Sequence, residues 1–237
     1  MRRRSEELDL GKYDTDKVPN NYLHVYDCVF ESLIDRPVKL LELGVRTGGS
    51  LRLWRDYFPH GTIAGLDVEP QAGEQNDDRL RIYKGRQEDT SLLSKIAAEV
   101  APDGFDIVID DASHIAAPTR TSFWHLFDHH LKPGGLFAIE DWGTGYWEAW
   151  PDGRAWRANE PHHAGMVGFI KELVDEQAAH DVSRGWYDEP WERSSRFESI
   201  FLVSSIAIVM RKLEGRGNTW CLINDNRLAG PLLPQIR

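Results

Sequence analysis

Strand and helix signals alternate along most of this chain, which predicts an α/β fold: a doubly wound, Rossmann-like sheet, mostly parallel, with helices on both faces. Three observations carry that prediction. Short apolar runs such as VKLLELG (38–44) and FDIVID (105–110) read as strands buried on both faces. Between such runs stand segments of helical spacing, for example Leu92, Leu93, Ile96, Ala97 and Val100. Several of the runs also end abruptly in acid, at the rim where an open parallel sheet holds its ligands.

In chain order, residues 1–19 are polar and irregular, and Tyr22, Tyr26, Val29 and Leu33 then follow helical spacing up to Pro37. VKLLELG is the first strand, and RTGGS turns the chain into a helix that faces Leu51, Trp54 and Phe58 inward. TIAGLDVEP (62–70) and RLRIYKG (79–85) are the second and third strands, and FDIVID is the fourth. A helix from about residue 118 to 130 carries Phe123, Trp124 and Phe127, and KPGG (132–135) marks a turn into the fifth strand, GLFAIED. A polar, Trp-rich insert at about 142–163 breaks the rhythm, as lids and binding loops do. Met166, Phe169, Ile170, Leu173 and Val174 restore it, and a second insert at about 181–195 follows. Two apolar runs, 199–203 and 206–210, are joined so tightly that they predict an antiparallel hairpin closing the sheet. The expected organisation is an N-terminal helical segment (1–36), a core domain (37–212) and a tail (213–237) with no assignable element. Wrapping a neighbouring subunit of a homo-oligomer is one role open to that tail.

With 237 residues the chain suits one domain, and a net charge of −10 disfavours nucleic acid as a partner. Cys28 and Cys221, with no CxxC and no zinc-type spacing, read as reduced thiols. MRRRSEELDL lacks the apolar core of a signal peptide, and no run approaches the length of a membrane span, so the expected location is the cytoplasm.

The chemistry concentrates at two strand ends. FDIVIDDASH and GGLFAIED would bring Asp110, Asp111, Glu140 and Asp141 to one rim, with His114 on the loop leaving the first. Any one of these acids could simply end a strand and cap the next helix. Four together repel, and either protons or a divalent cation must relieve them. His129 and His130, near a helix C-terminus, read as imidazolium favoured by the dipole, and His162 with His163 as loop features or substrate contacts.

The glycine loop ELGVRTGGS (42–50) matches neither GxGxxG nor GxxxxGK[ST], which argues against a nicotinamide fingerprint and an ATP phosphate loop. Asp67, about twenty residues on, suits a bidentate contact with ribose hydroxyls. Together with Asp89 and FDIVIDD, this set resembles class I S-adenosylmethionine-dependent methyltransferases across roughly residues 38–211. TDK (15–17), LLELGVRTGGSLRLW, IDDASH, LKPGGLFAIEDW and the following YW narrow the resemblance. They are similar to the metal-dependent sugar O-methyltransferases of macrolide biosynthesis, of the mycinamicin type, and to mycobacterial enzymes that methylate mannose or rhamnose hydroxyls.

The resemblance implies the cofactors S-adenosyl-L-methionine and Mg²⁺ or Mn²⁺. It implies cofactor contacts from Lys17, Glu42, Gly44, Arg46, Ser50, Asp67, Gln87, Asp89 and Asp110. The metal ligands would be Asp111, Glu140 and Asp141, and the general base His114. The acceptor would be a saccharide, in a polysaccharide or on a glycosylated small molecule, and Tyr146 and Trp147 are expected to stack on it. A catechol-type O-methyltransferase and a non-catalytic cofactor-binding protein are the alternatives.

Overall fold

The structure, a computed structural model, describes residues 2–71, 77–179 and 194–214. Its centre is a seven-stranded sheet in the order β3-β2-β1-β4-β5-β7-β6. The strands are β1 (Lys39–Leu43), β2 (Thr62–Asp67), β3 (Leu80–Lys84), β4 (Phe105–Asp110), β5 (Leu131–Glu140), β6 (Phe197–Val203) and β7 (Ile206–Arg211). Pairings among β1 to β5 are parallel, whereas β7 runs antiparallel to both β5 and β6. The expected hairpin is therefore present, with β7 inserted between β5 and β6. The second insert expected at 181–195 lies outside the described residues except for Ser194 and Ser195, as does the tail beyond residue 214.

Among the described residues, five α-helices cover the sheet: α1 (Tyr22–Phe30), α2 (Gly49–Tyr57), α3 (Thr90–Val100), α4 (Ala116–His129) and α5 (Gly165–Gln177). One apolar layer joins α1 and α2 to Leu40, Ile107, Ile109 and Ala138, and the other joins α3, α4 and α5 to Leu41, Val108, Phe137 and Ile139. Neighbouring residues of each strand thus face opposite layers, as the period of two requires. That alternation sorts the acids. Glu42 and Glu140 follow Leu40 and Ala138 toward α1 and α2, while Asp110 follows Val108 toward α3 and α4.

Two local readings need correction. KPGG is not a turn ahead of β5: Leu131 already pairs with Phe105, and the register shifts before Leu136 meets Ile107, so KPGG is an irregular stretch inside the strand. The N-terminal residues are not merely irregular either. Two short 3-10 turns, Arg4–Glu7 and Leu10–Lys12, lead a segment that lies against α2. Ser5 donates to both oxygens of the buried Asp27 carboxylate, through its N–H and its hydroxyl, and Tyr57 donates to Oδ1 as well.

Close approach of Asp14 to the start of α2 depends on a missing side chain. A Cβ on Gly49 would lie 1.7 Å from the Asp14 carbonyl oxygen, whereas one on Gly143 would meet nothing within 4 Å. Backbone cannot yield as a flexible side chain can, so Gly49→Ala is expected to cost at least about 2 kcal/mol. Gly143→Ala should stay within about 0.5 kcal/mol of wild type. Urea unfolding of both checks the contrast; equal stabilities would show that the N-terminal segment does not sit against α2.

Candidate active site

A cavity of about 530 Å³ opens beyond the carboxyl ends of β1, β2 and β4. Gly44, Arg46, Ser50, Asp67 and Gln87 line it, together with Asp111 and His114. Asp14, Thr15 and Asp16 supply a further wall from the N-terminal segment. Gly44, at φ +90°, makes the β1 loop possible: a Cβ there would lie 2.0 Å from the Asp111 carbonyl oxygen. Asp67 accepts from the backbone N–H groups of Val45 and Arg46 at 2.8 and 2.9 Å and from that of Glu69 at 2.8 Å. Burial works to raise its carboxyl, but those three donors outweigh it and hold the group below its ordinary range.

Other expected cofactor residues stand away from the cavity lining. Asp89 is exposed and caps α3, accepting from the Leu92 N–H at 3.0 Å, which is the capping role open to any acid in that place. Asp110 is buried on the α4 side, where Gln87 Nε2 donates to both its oxygens at 3.2 and 3.0 Å and Ser122 donates at 3.2 Å. Burial pushes its carboxyl up to about 6. Glu42 is buried behind the loop, accepting from Ser50 Oγ at 2.6 Å and Trp54 Nε1 at 3.3 Å. It acts on the cavity through Ser50.

Lys17 is fully buried beneath the rim. Its ammonium lies 2.6 Å from Asp111 Oδ2, 2.8 Å from Glu140 Oε2 and 3.2 Å from Glu42 Oε1. Burial opposes its charge, yet the three carboxylates outweigh it and hold the group well above the ordinary lysine range. Burial likewise pushes Glu42 up and Glu140 well up, with Lys17 opposing and the Asp111 charge adding.

The four acids therefore do not converge as expected. Glu140 faces inward, one oxygen on Lys17 and the other accepting from the Tyr26 hydroxyl at 2.5 Å, so it does not stand among the rim donors. What the rim brings together is Asp111, His114 and Asp141, each offering one atom within 4.8 Å of the others. His114 Nε2 lies 3.8 Å from Asp111 Oδ1 and 3.7 Å from Asp141 Oδ2. Tyr22 donates to the second carboxylate, Asp141. The two hard carboxylate oxygens of this cluster suit Mg²⁺ or Mn²⁺ and leave coordination positions open, with the His114 nitrogen beside them.

His114 and Asp141 both hold φ of +51°, a left-handed conformation uncommon outside glycine. The first insert braces the histidine: Trp150 Nε1 donates to the His114 carbonyl at 2.8 Å and Thr144 Oγ1 at 3.2 Å. Asp152, from the same insert, accepts from Ala116 N–H at 2.8 Å at the start of α4. Tyr146 and Trp147 do not line the cavity: Tyr146 lies over the His162 ring at 4.7 Å, and Trp147 is 55% exposed beside Trp150. His162 is a buried loop feature whose Nε2–H donates to the Gly145 carbonyl oxygen at 2.8 Å. His130 departs from the imidazolium reading, since burial and the neighbouring His125 and His129 lower its pKa.

Trp150, Thr144, Tyr22 and Tyr26 were not legible as site residues. The two tyrosines carry a signal all the same: hydroxyls on the buried face of a helix need polar partners, and here the partners are Asp141 and Glu140.

Residues 41–137 match the family model described as a methyltransferase domain. The chain carries a methyltransferase domain with the class I fold, and its relatives include sugar O-methyltransferases of macrolide and tetracenomycin pathways. Mycinamicin VI 2''-O-methyltransferase of Micromonospora griseorubida is 41% identical over 158 residues, 63% of this chain and 38% of that protein. The 8-demethyl-8-(2-methoxy-alpha-L-rhamnosyl)-tetracenomycin-C 3'-O-methyltransferase of Streptomyces olivaceus is 38% identical over 159 residues, 64% of this chain and 39% of that protein. Among solved structures, the MycE methyltransferase of the mycinamycin pathway in complex with Mg, SAH and mycinamycin VI superposes with a TM-score of 0.67. It is 33% identical, over 84% of this chain and 51% of that one. The chain thus spans about half the length of these relatives or less. Among the described residues no helix is long and apolar enough to cross a membrane.

Because the Asp67 carboxyl is held below its ordinary range, the stability its charge contributes is present above the unfolded value, near about pH 4. It is lost as pH falls through the lower folded value. The gap in stability between wild type and Asp67→Asn should therefore be constant above about pH 5 and narrow on acidification. Thermal melts across that range measure it, and a gap that widened in acid would contradict the geometry.

Proposed function

We propose that this chain transfers a methyl group from S-adenosylmethionine to a hydroxyl of a sugar on a glycosylated acceptor, aided by Mg²⁺ or Mn²⁺. The observation that carries the reading is the junction of two compartments: Asp111 and His114 belong both to the cavity wall and to the rim donor cluster. A cofactor in the cavity and an acceptor at the rim would meet there. The activities of the relatives, and the Mg and SAH bound to MycE, support the same reading.

The residues fit both groups. Backbone donors fill three of the roughly four acceptor positions of the Asp67 carboxylate, leaving one for a ribose hydroxyl. That replaces the expected two-pronged contact by a single one. Asp111 and Asp141 would hold the cation, which when bound supplies Lewis acidity that makes a sugar hydroxyl easier to deprotonate. The Glu140 carboxyl stays with Lys17 and Tyr26.

His114 takes the hydroxyl proton on Nε2, and the flanking Asp111 and Asp141 carboxylates stabilise the resulting imidazolium. Trp150 and Thr144 hold the backbone of His114 so that its ring keeps this aim. Trp147, exposed at the outer side of the insert, offers an aromatic face to a pyranose ring.

His114→Ala is expected to lower the single-turnover rate by about 10² to 10⁴, the ordinary contribution of a positioned base. Mn²⁺ affinity should change little, since Asp111 and Asp141 remain. A fall in metal affinity equal to the fall in rate would make His114 a ligand instead of the base. Mass spectrometry of cofactor-dependent methylation should find product on rhamnosyl, mannosyl or macrolide-sugar acceptors and none on catechols. The reverse pattern would overturn the choice of acceptor.

A further inference from the structure

We propose that Lys17 is a positioning residue that couples the cofactor cavity to the metal cluster, an inference that rests on the functional reading above for the identity of the two ligands. The segment ending at Lys17 belongs to the cavity: Asp14, Thr15 and Asp16 line it. Thr47 Oγ1, on the glycine loop, donates to the Asp14 carbonyl at 3.4 Å, and Gly49 allows that carbonyl to lie against α2. A ligand that fills the cavity therefore bears on residues 14–16. The next residue is buried among the acids.

The Lys17 ammonium has three N–H groups and three carboxylate neighbours. One contact is with Glu42, which accepts from the cavity residue Ser50. A second is with Asp111 Oδ2, leaving Oδ1 on the side of His114 and the rim cluster. The third, Glu140, is fixed from its far side by Tyr26. Glu42 and Glu140 are thus each held by a second donor, and Lys17 is the piece common to all three acids. Displacing segment 14–17 would release the Asp111 carboxylate from its orientation, and ordering the segment would set it. Cofactor binding should tighten metal binding, and by linkage the metal should tighten the cofactor by the same factor.

The test is a thermodynamic cycle with S-adenosylhomocysteine as the cavity probe and Mn²⁺ as the metal probe, both followed by calorimetry on the full chain. In wild type, saturating S-adenosylhomocysteine should improve Mn²⁺ affinity by at least about fivefold, the lower end of ordinary coupling. In Lys17→Met the factor should fall to near one. Mn²⁺ affinity without the nucleoside should be undiminished, because removing a cation from beside Asp111 favours another cation there. Lys17→Met/Glu140→Gln removes the charge together with one of its partners, and it serves where the single variant fails to fold; the same loss of coupling is expected.

If Lys17 only supports the fold, both affinities or the melting temperature will drop with the coupling factor unchanged, and the proposal fails. Absence of coupling in wild type, with both probes bound, also overturns it. Failure of wild type to bind either probe would instead overturn the functional reading.

Discussion

An ammonium group taken out of water costs several kcal/mol before any attraction is counted, and so does each carboxylate buried beside it. Around Lys17 those penalties are met by mutual pairing and by hydroxyl and indole donors from Ser50, Trp54 and Tyr26. Removing Lys17 would leave the three acids as uncompensated charge in a dry interior. The N-terminal segment, α1, α2 and the ends of β1, β4 and β5 are consequently held to one another by electrostatics as well as by apolar packing. Buried pairs of this kind seldom add net stability over an apolar core, but they penalise any arrangement that mispairs them.

Two acids at the rim keep a different character from the two inside. Asp111 and Asp141 follow the last paired residues of β4 and β5, where the backbone is no longer bound to the alternation of the sheet. Asp141 uses that freedom to adopt a left-handed turn, and His114 adopts another three residues past Asp111. Such conformations carry a cost of order 1–3 kcal/mol and persist where surrounding contacts impose them. Here the contacts on the His114 carbonyl come from the first insert, so that insert serves as a brace on the site as well as a surface beside it.

Much of the fold was legible in the sequence because it rests on period and punctuation. Apolar runs marked the strands, 3.6-residue spacing marked the helices, and the short join at residues 204–205 marked the hairpin. The site was legible at its rim: Asp111, Asp141 and His114 stand together, and the glycine loop with Asp67 lines the cavity. What misled was treating adjacent acids as neighbours in space. Asp110 and Glu140 are the final residues of strands and obey the period of two, so each turns away from the rim toward opposite layers. Lys17 illustrates the other limit. It meets its partners across 94 and 123 positions of sequence, and a polar N-terminal stretch carries no local signal for so distant a contact.

The insertion of β7 between β5 and β6 has a consequence for how the chain can assemble as it is synthesised. β5 is buried along most of its length and pairs with β4 on one side only, until β7 emerges to fill the other. β6 leaves the ribosome earlier than β7 but has no place on β5, since its only strand partner among the described residues is β7 itself. The two strands must therefore dock as a preformed hairpin, or β7 must enter first and draw β6 after it. Throughout that interval the growing chain presents the unpaired edge of β5, the kind of surface on which nascent chains associate with one another.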